Sequence, residues 1–259
     1  MLIAHISDFH IFAEAPETSL VRPDAADAAR KVVADIAAFT PQIGAVMFTG
    51  DLTDGGSAED YALLTDILSP LDVPVFVVPG NHDARPGMRA SFAGKLPFEA
   101  DPFLNYEAWF NDIRILALDT LWDGQIAGRL DQTQLVWLAE RLAVPHHGLT
   151  LILMHHPAFP SQMAPLDAMT LQDGRADFER LIANYNEPLR ILSGHIHRPF
   201  QTLWHGVFCA VSGGPAFQHA LTLDPDADEP GIVAEPYAYF IHRITDATSV
   251  SIHTRYVAL

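Results

Sequence analysis

Five apolar, strand-like runs in this chain each end in a short polar cluster, and the clusters are spread from Asp8 to His197. Leu2 to Ser7 leads into Asp8-Phe9-His10, Ala45 to Thr49 into Gly50-Asp51, and Val75 to Pro79 into Gly80-Asn81-His82-Asp83. Thr150 to Met154 leads into His155-His156, and Leu189 to Ser193 into Gly194-His195-Ile196-His197. Short apolar runs bounded by turn residues read as buried strands. Strands alternating with helical segments build α/β layers, and the carboxyl ends of such strands form a rim where ligands bind. The pattern therefore predicts an α/β chain that gathers five clusters into one site. Their side chains are carboxylates, an amide and imidazoles, which are oxygen and nitrogen ligands for divalent transition metals. The set implies a two-metal hydrolase.

The segments between the runs support that layering. Ala25, Ala28, Ala29, Val32, Val33 and Ile36 share one helical face within residues 24–39. Ser57 with Asp60, and Asp131 with Gln134, have the spacing of capping boxes that open two further helices, and a fourth is expected from about Gly174 to Tyr185. Arg114 to Asp119 adds a strand, and the tail after Phe200 reads as antiparallel strands at Thr202 to Trp204, Val207 to Val211, Tyr237 to Ile244 and Val250 to Tyr256. The expected fold is a four-layer αββα sandwich of two mixed sheets flanked by helices. No repeat or linker divides the chain, so residues 1–259 read as a single domain. Residues 1–200 form the core with the clusters, and 201–259 complete the sandwich and offer a surface for self-association. Two segments read as irregular, Ala84 to Pro102 and the acidic Leu221 to Pro236, and loops this long are usually lids or interfaces. Phe103, Tyr106, Trp109 and Phe110 read as core packing.

Composition narrows the partners. An apolar fraction of 49% with 18% charged residues is that of a globular protein, and no stretch approaches the roughly 18 apolar residues of a membrane span. Met1 to Ser7 lacks the basic leader of a signal peptide and reads as the first core strand. Cys209 is the sole cysteine, which excludes an internal disulfide and makes cytoplasm the default location. A net charge of −17 disfavours long nucleic acid as a partner and leaves room for a small anionic substrate near bound cations.

Asp8-X-His10, Gly50-Asp51, Gly80-Asn81-His82-Asp83, Ile152-Leu153-Met154-His155 and Gly194-His195-X-His197 occur in the order of the signature of the calcineurin-like metallophosphoesterases. The chain resembles that superfamily over residues 2 to about 200. His5-Ile6-Ser7-Asp8-Phe9-His10 and Met154-His155-His156-Pro157 are similar to the bacterial class III cyclic-nucleotide phosphodiesterases and glycerophosphodiesterases. Ser212-Gly213-Gly214-Pro215 and Tyr239-Phe240-Ile241-His242-Arg243 in the tail resemble the latter. The resemblance implies one metal held by Asp8, His10, Asp51 and His197 and a second by Asp51, Asn81, His155 and His195, with Asp51 bridging. Mixed oxygen and imidazole donors suit manganese, iron, zinc or cobalt, and the resemblance implies iron or manganese, sometimes in mixed pairs, with a bridging hydroxide as nucleophile. His82 would bind the phosphate or protonate the leaving alkoxide, with Asn81 and Asp51 also catalytic. Asp54 or Asp83 is expected to orient a histidine. His156 reads as a packing residue or one that supports a ligand from behind rather than a ligand, His5 as a core group, His146 and His147 as solvated, and His219 as either pocket or surface. The implied substrate is a small organic phosphodiester, a cyclic nucleotide or a glycerophosphodiester, and the implied assembly is a homo-oligomer. A phosphomonoesterase or protein phosphatase on the same scaffold, and a metal-free interaction module, are the alternatives.

Overall fold

The apolar runs and the helical faces alternate in the computed structural model as their patterns require; it describes residues 1–14, 20–100 and 102–259. The strands are β1 (Leu2–Ile6), β2 (Ala45–Phe48), β3 (Val75–Val77), β4 (Tyr106–Phe110), β5 (Ile113–Leu118), β6 (Gly128–Arg129), β7 (Thr150–Met154), β8 (Leu171–Asp173), β9 (Leu189–Ser193), β10 (Phe200–Trp204), β11 (Val207–Val211), β12 (Tyr237–Ile244) and β13 (Val250–Val257). The helices are α1 (Ala25–Ala37), α2 (Ala58–Leu68), α3 (Arg85–Ser91), α4 (Gln132–Leu142), α5 (Ala164–Asp167) and α6 (Arg175–Ala183).

One sheet has the order β13-β12-β1-β2-β3 and the other β10-β11-β9-β7-β5-β4. The centre of each is parallel: β1 with β2 and β3 in the first, and β5, β7, β9 and β11 in the second. Antiparallel strands close three of the four edges, the exception being β3, and the tail serves both sheets, because β12 pairs with β1 and β11 with β9. Alternation along the second sheet makes the layers. Ile115, Ala117, Leu151 and Leu153 share a core with Ile3, Val46 and Phe48 of the first sheet. Their neighbours Leu116, Leu118, Ile152 and Met154 pack on Leu135 and Leu138 of α4 and Phe178 and Ile182 of α6. Val32, Val33 and Ile36 of α1, with Leu64 and Ile67 of α2, cover the first sheet from outside. Each such side chain removed from water stabilises the fold by about 1.5–3 kcal/mol. The order helix, sheet, sheet, helix is the expected αββα sandwich.

The helix starts follow the sequence. Ser57 Oγ accepts from the Asp60 N–H at 3.0 Å while Asp60 accepts from the Ser57 N–H at 3.1 Å. Asp131 and Gln134 repeat the exchange at 3.0 and 3.1 Å. Two expectations fail. The stretch from Ala84 to Pro102, of which Asp101 lies outside the described residues, contains α3, because Pro86 sits in the first turn where its missing N–H costs nothing. The aromatic group at Tyr106 to Phe110 is an edge strand in which Tyr106 is core and Phe110 packs against the core as expected, but Trp109 is 53% exposed.

Candidate metal centre

The loops after β1, β2, β3, β7 and β9 meet where the carboxyl ends of the two sheets converge. An alternation of ligand and anchor builds two of the clusters. Phe9, between Asp8 and His10, is fully buried against Phe48, and Ile196, between His195 and His197, is buried in the outer core of the second sheet. The backbone turns sharply to aim the polar neighbours inward: Asp8, His10, Asp51, His195 and His197 have φ of 58°, 47°, 48°, 72° and 52°. Left-handed conformations cost a non-glycine residue about 1–3 kcal/mol each and persist where surrounding structure enforces them. Here the enforcement is visible. Asp8 N–H donates to Gly50 O, His10 N–H to Asp51 O, and His195 N–H to the Asp8 carboxylate, all at 3.0 Å.

Ligand-type atoms of Asp8, His10, Asp51 and His197 lie within 4.8 Å of one another. Asp51 Oδ2 is 3.4 Å from His10 Nε2 and 3.2 Å from His155 Nε2, so this carboxylate stands between two groups. On its far side His155 Nε2 is 3.3 Å from Asn81 Oδ1 and 3.2 Å from His195 Nδ1. All seven residues expected as ligands are thus brought together. His156 lies beside them, its ligand-type atoms within 4.8 Å of those of His155 and His195, with its ring nitrogens hydrogen-bonded to Thr120 Oγ1 at 2.8 Å and Ile126 O at 3.0 Å.

The donor set can hold cations, and the imidazole tautomers supply the test. A carbonyl or carboxylate oxygen accepts only. His10 Nδ1–H donates to Asp54 Oδ1 at 2.9 Å and His197 Nδ1–H to Phe217 O at 3.1 Å, which leaves the two Nε2 lone pairs facing each other 3.1 Å apart. His155 Nδ1–H donates to Thr49 O at 2.7 Å and His195 Nε2–H to Met169 O at 2.9 Å, and their remaining nitrogens face at 3.2 Å. Two facing ring nitrogens at that distance need a proton or a metal cation between them. Outer hydrogen bonds of this kind fix the ring orientation of metal-binding histidines. Burial pushes His195 down to about 3 and His197 well below its ordinary value, so those two rings stay neutral; burial opposes the protonation of His155 as well, yet the charges of Asp51 and Asp8 raise it to about 9, so without metal a proton on its Nε2 stands where a cation would. Burial lifts Asp8 to about 6. It acts the same way on Asp51, but the neighbouring His155 and His10 outweigh it and hold that carboxyl well below the usual range.

His82 differs from the seven. It is 41% exposed, its N–H donates to Asp51 Oδ1 at 2.9 Å, and its ring Nδ1 sits 3.1 Å from Asp54 Oδ1. Burial opposes its protonation, yet the hydrogen bond to Asp54 and the charge of Asp51 raise its pKa to about 9. Asp54 therefore orients both His10 and His82. Asp83 does not orient a histidine. Its buried carboxylate accepts from the N–H groups of Gly80, Leu52 and Thr53 and from the hydroxyls of Thr53 and Tyr61, tying the loops after β2 and β3 together.

A cleft of about 430 Å³ opens over the cluster, walled by Leu20, Ile126, Met169, Phe217, Glu229 and Ile232. His219, expected at the pocket or the surface, lines it and is 9% exposed. The acidic loop after Leu221 supplies Glu229, Pro230 and Ile232, and an antiparallel bridge from His219 to Ile232 folds it over the site. Among the described residues no helix is long and apolar enough to cross a membrane.

The sequence profile of the calcineurin-like phosphoesterases matches residues 1–199, the stretch that contains all five clusters. The chain belongs to that family. A protein of Arcobacter nitrofigilis named as a probable glycerophosphodiester phosphodiesterase is 31% identical over 257 residues, covering 99% of this chain and 93% of the relative. A 3',5'-cyclic adenosine monophosphate phosphodiesterase of Haemophilus influenzae is 32% identical over 206 residues, covering 79% of this chain and 72% of its own. Among solved structures, a dimetal phosphatase from Danio rerio superposes with a TM-score of 0.73 over 99% of this chain and 95% of its own, at 17% identity, which supports the fold. The calcineurin-like phosphoesterases use a dinuclear metal site, and the clusters of aspartate and histidine described above are the matching feature of this member.

Proposed function

We propose that this calcineurin-like phosphoesterase is a phosphodiesterase that hydrolyses a small organic phosphodiester, a cyclic nucleotide or a glycerophosphodiester, with two metal ions. The observation that carries the reading is the Asp51 carboxylate lying between two pairs of facing imidazole nitrogens. Asp8, His10, Asp51 and His197 would hold one ion, and Asp51, Asn81, His155 and His195 the other. Mixed oxygen and imidazole donors suit iron, manganese, zinc or cobalt. When bound, the ions supply positive charge for the phosphoryl oxygens and acidify the attacking water. The protein's own groups do the rest. Asp51 and Asn81 fix the floor on which the phosphate lies, and Asp54 keeps the ring of His82 turned toward the open cleft. His82, whose protonated form the Asp54 carboxylate at 3.1 Å favours, hydrogen-bonds the phosphate and gives its proton to the departing alkoxide as the P–O ester bond breaks. The substrate names of the two relatives, with the cleft's modest size, support a small diester over a macromolecule. The same proposal has residues 1–259 acting as one unit in the cytoplasm, self-associating through the tail.

The test pairs metal content with turnover. Asp51→Ala and Asn81→Ala are expected to hold fewer than two ions and to lose about 100-fold or more in hydrolysis of a model diester. Retention of both ions and full activity, or a preference for monoesters over diesters in the unaltered protein, would overturn it.

A further inference from the structure

The cleft over the metal centre does not end at the histidines. Leu20, Phe217 and Ile232, which line it, also line a second hollow of about 960 Å³, so the two adjoin at these side chains. Val233, Ala234, Tyr237, Tyr256 and Val257 add apolar lining to this groove, beside the polar Gln218. Its charged side chains are already matched: Arg22 pairs with Asp24 at 2.6 Å, and Glu235 with Arg198 at 3.1 Å. Leu20, Ile232 and Tyr256 are 66%, 49% and 64% exposed, a cost in water that marks a surface meant to be covered.

We propose that the site accepts phosphodiesters carrying a single hydrocarbon chain, with the phosphate at Asp51 and the chain lying along this groove. The proposal rests on the phosphodiesterase reading above. Adjacency to the cleft favours this occupant over a separate partner, because a chain attached to a phosphodiester bound at Asp51 would need only to pass the exposed Leu20 and Ile232 to reach the second hollow. Charge selects the head. Glu229 lines the cleft, Asp224, Asp226 and Asp228 stand exposed on the same loop, and the chain carries −17 overall, so a zwitterionic single-chain diester of the lysophosphatidylcholine type fits better than an anionic one. The reaction is the ordinary one: the oxygen of water joins phosphorus, one P–O ester bond breaks, and a proton passes to the leaving alcohol. No co-reactant other than water is needed.

The experiment uses the metal-loaded full chain with glycerophosphocholine, which has no chain, and with six- and eight-carbon lysophosphatidylcholines kept below their micellar concentrations. Full burial of one methylene is worth about fourfold in binding, so even a groove open on one side should raise kcat/KM by about tenfold or more from the chainless diester to the eight-carbon one. Ala234→Trp, which fills the groove at an exposed position away from the histidines, is expected to cut that gain to about threefold or less while leaving glycerophosphocholine turnover unchanged; Tyr256→Ser should reduce it too. Turnover of the chainless diester with no gain, or a loss, on lengthening the chain would overturn this proposal and leave the phosphodiesterase reading standing. No diester turnover at all would overturn both. If Ala234→Trp instead converts an oligomer to monomers by sedimentation and leaves the chain-length profile untouched, the groove is an interface between copies and the proposal falls.

Discussion

His82 and Asp83 are neighbours in sequence with opposite duties, one open to the cleft and the other sealed under it. The exposed ring of His82 and its contact with Asp54 predict a leaving-group signature. His82→Ala should lower kcat for an alkyl diester by about 10²–10⁴-fold, the range for loss of a general acid. It should cost far less with a p-nitrophenyl diester, whose leaving group needs no proton, and it should leave the metal content intact. Steady-state kinetics on the two substrates checks this, and equal losses would remove His82 from the proton transfer. The seven ligand-type residues were legible because each follows an apolar run, and a strand end leaves its next side chains at the rim. The partition between Asp54 and Asp83 was not legible. Both carboxylates follow a Gly-bearing cluster, and only the packing of α2 and the β2 loop against the β3 loop decides which one meets imidazoles and which meets N–H groups and the Tyr61 hydroxyl. The pocket role of His219 depends likewise on how the tail folds back, and nothing local signals it.

At the level of elements, the site depends on how closely the loops approach. A methyl at Gly194 would run into Ser7 Oγ and the Asp8 carboxylate, and one at Gly80 into the Asp51 carboxylate. Neither glycine needs a left-handed backbone; each is there because another strand's ligand occupies the space of a side chain. Gly194→Ala should therefore separate the β9 loop from the β1 loop and reduce both metal occupancy and diester hydrolysis by about tenfold or more, as displacement of a reacting centre by about an ångström does. Elemental analysis with kinetics reads the outcome, and a variant with full occupancy would show that the loops have slack. The parallel centres of both sheets and the boxed helix starts could be read from pattern alone, because each is a local rule. Helix α3 could not, since Pro86 and Gly87 inside it carry the signals of a turn. Edge strand β4 was hidden for a related reason: its aromatic residues fit a core, and the solvent side of Trp109 is fixed only by its place at the sheet margin.

Across the whole molecule, His5 of β1 and His242 of β12 lie buried with their rings 5.8 Å apart, and each has one ring nitrogen without a partner. Burial drives His242 down to about 3 and His5 well below its ordinary value. A histidine with a lowered folded pKa stays neutral in the native state but takes up a proton on unfolding below about pH 6.5, so stability must rise with pH between about 3 and 6.5. Denaturant titrations of the metal-free chain should show His242→Leu losing about 2 kcal/mol less than the unaltered protein between pH 7 and pH 5. Identical losses would mean that the pair is protonated in the fold. The two ligand groups span a larger feature. Asp8, His10, Asp51 and Asn81 belong to loops of the first sheet, and His155, His195 and His197 to loops of the second. Neither half of the sandwich owns a complete cage, so under the proposed roles the ions act as clasps across the seam. A chain short of metal would keep the apolar core that its two sheets share and lose only this lacing at the rim, so metal supply should register first as a shift in its resistance to denaturant.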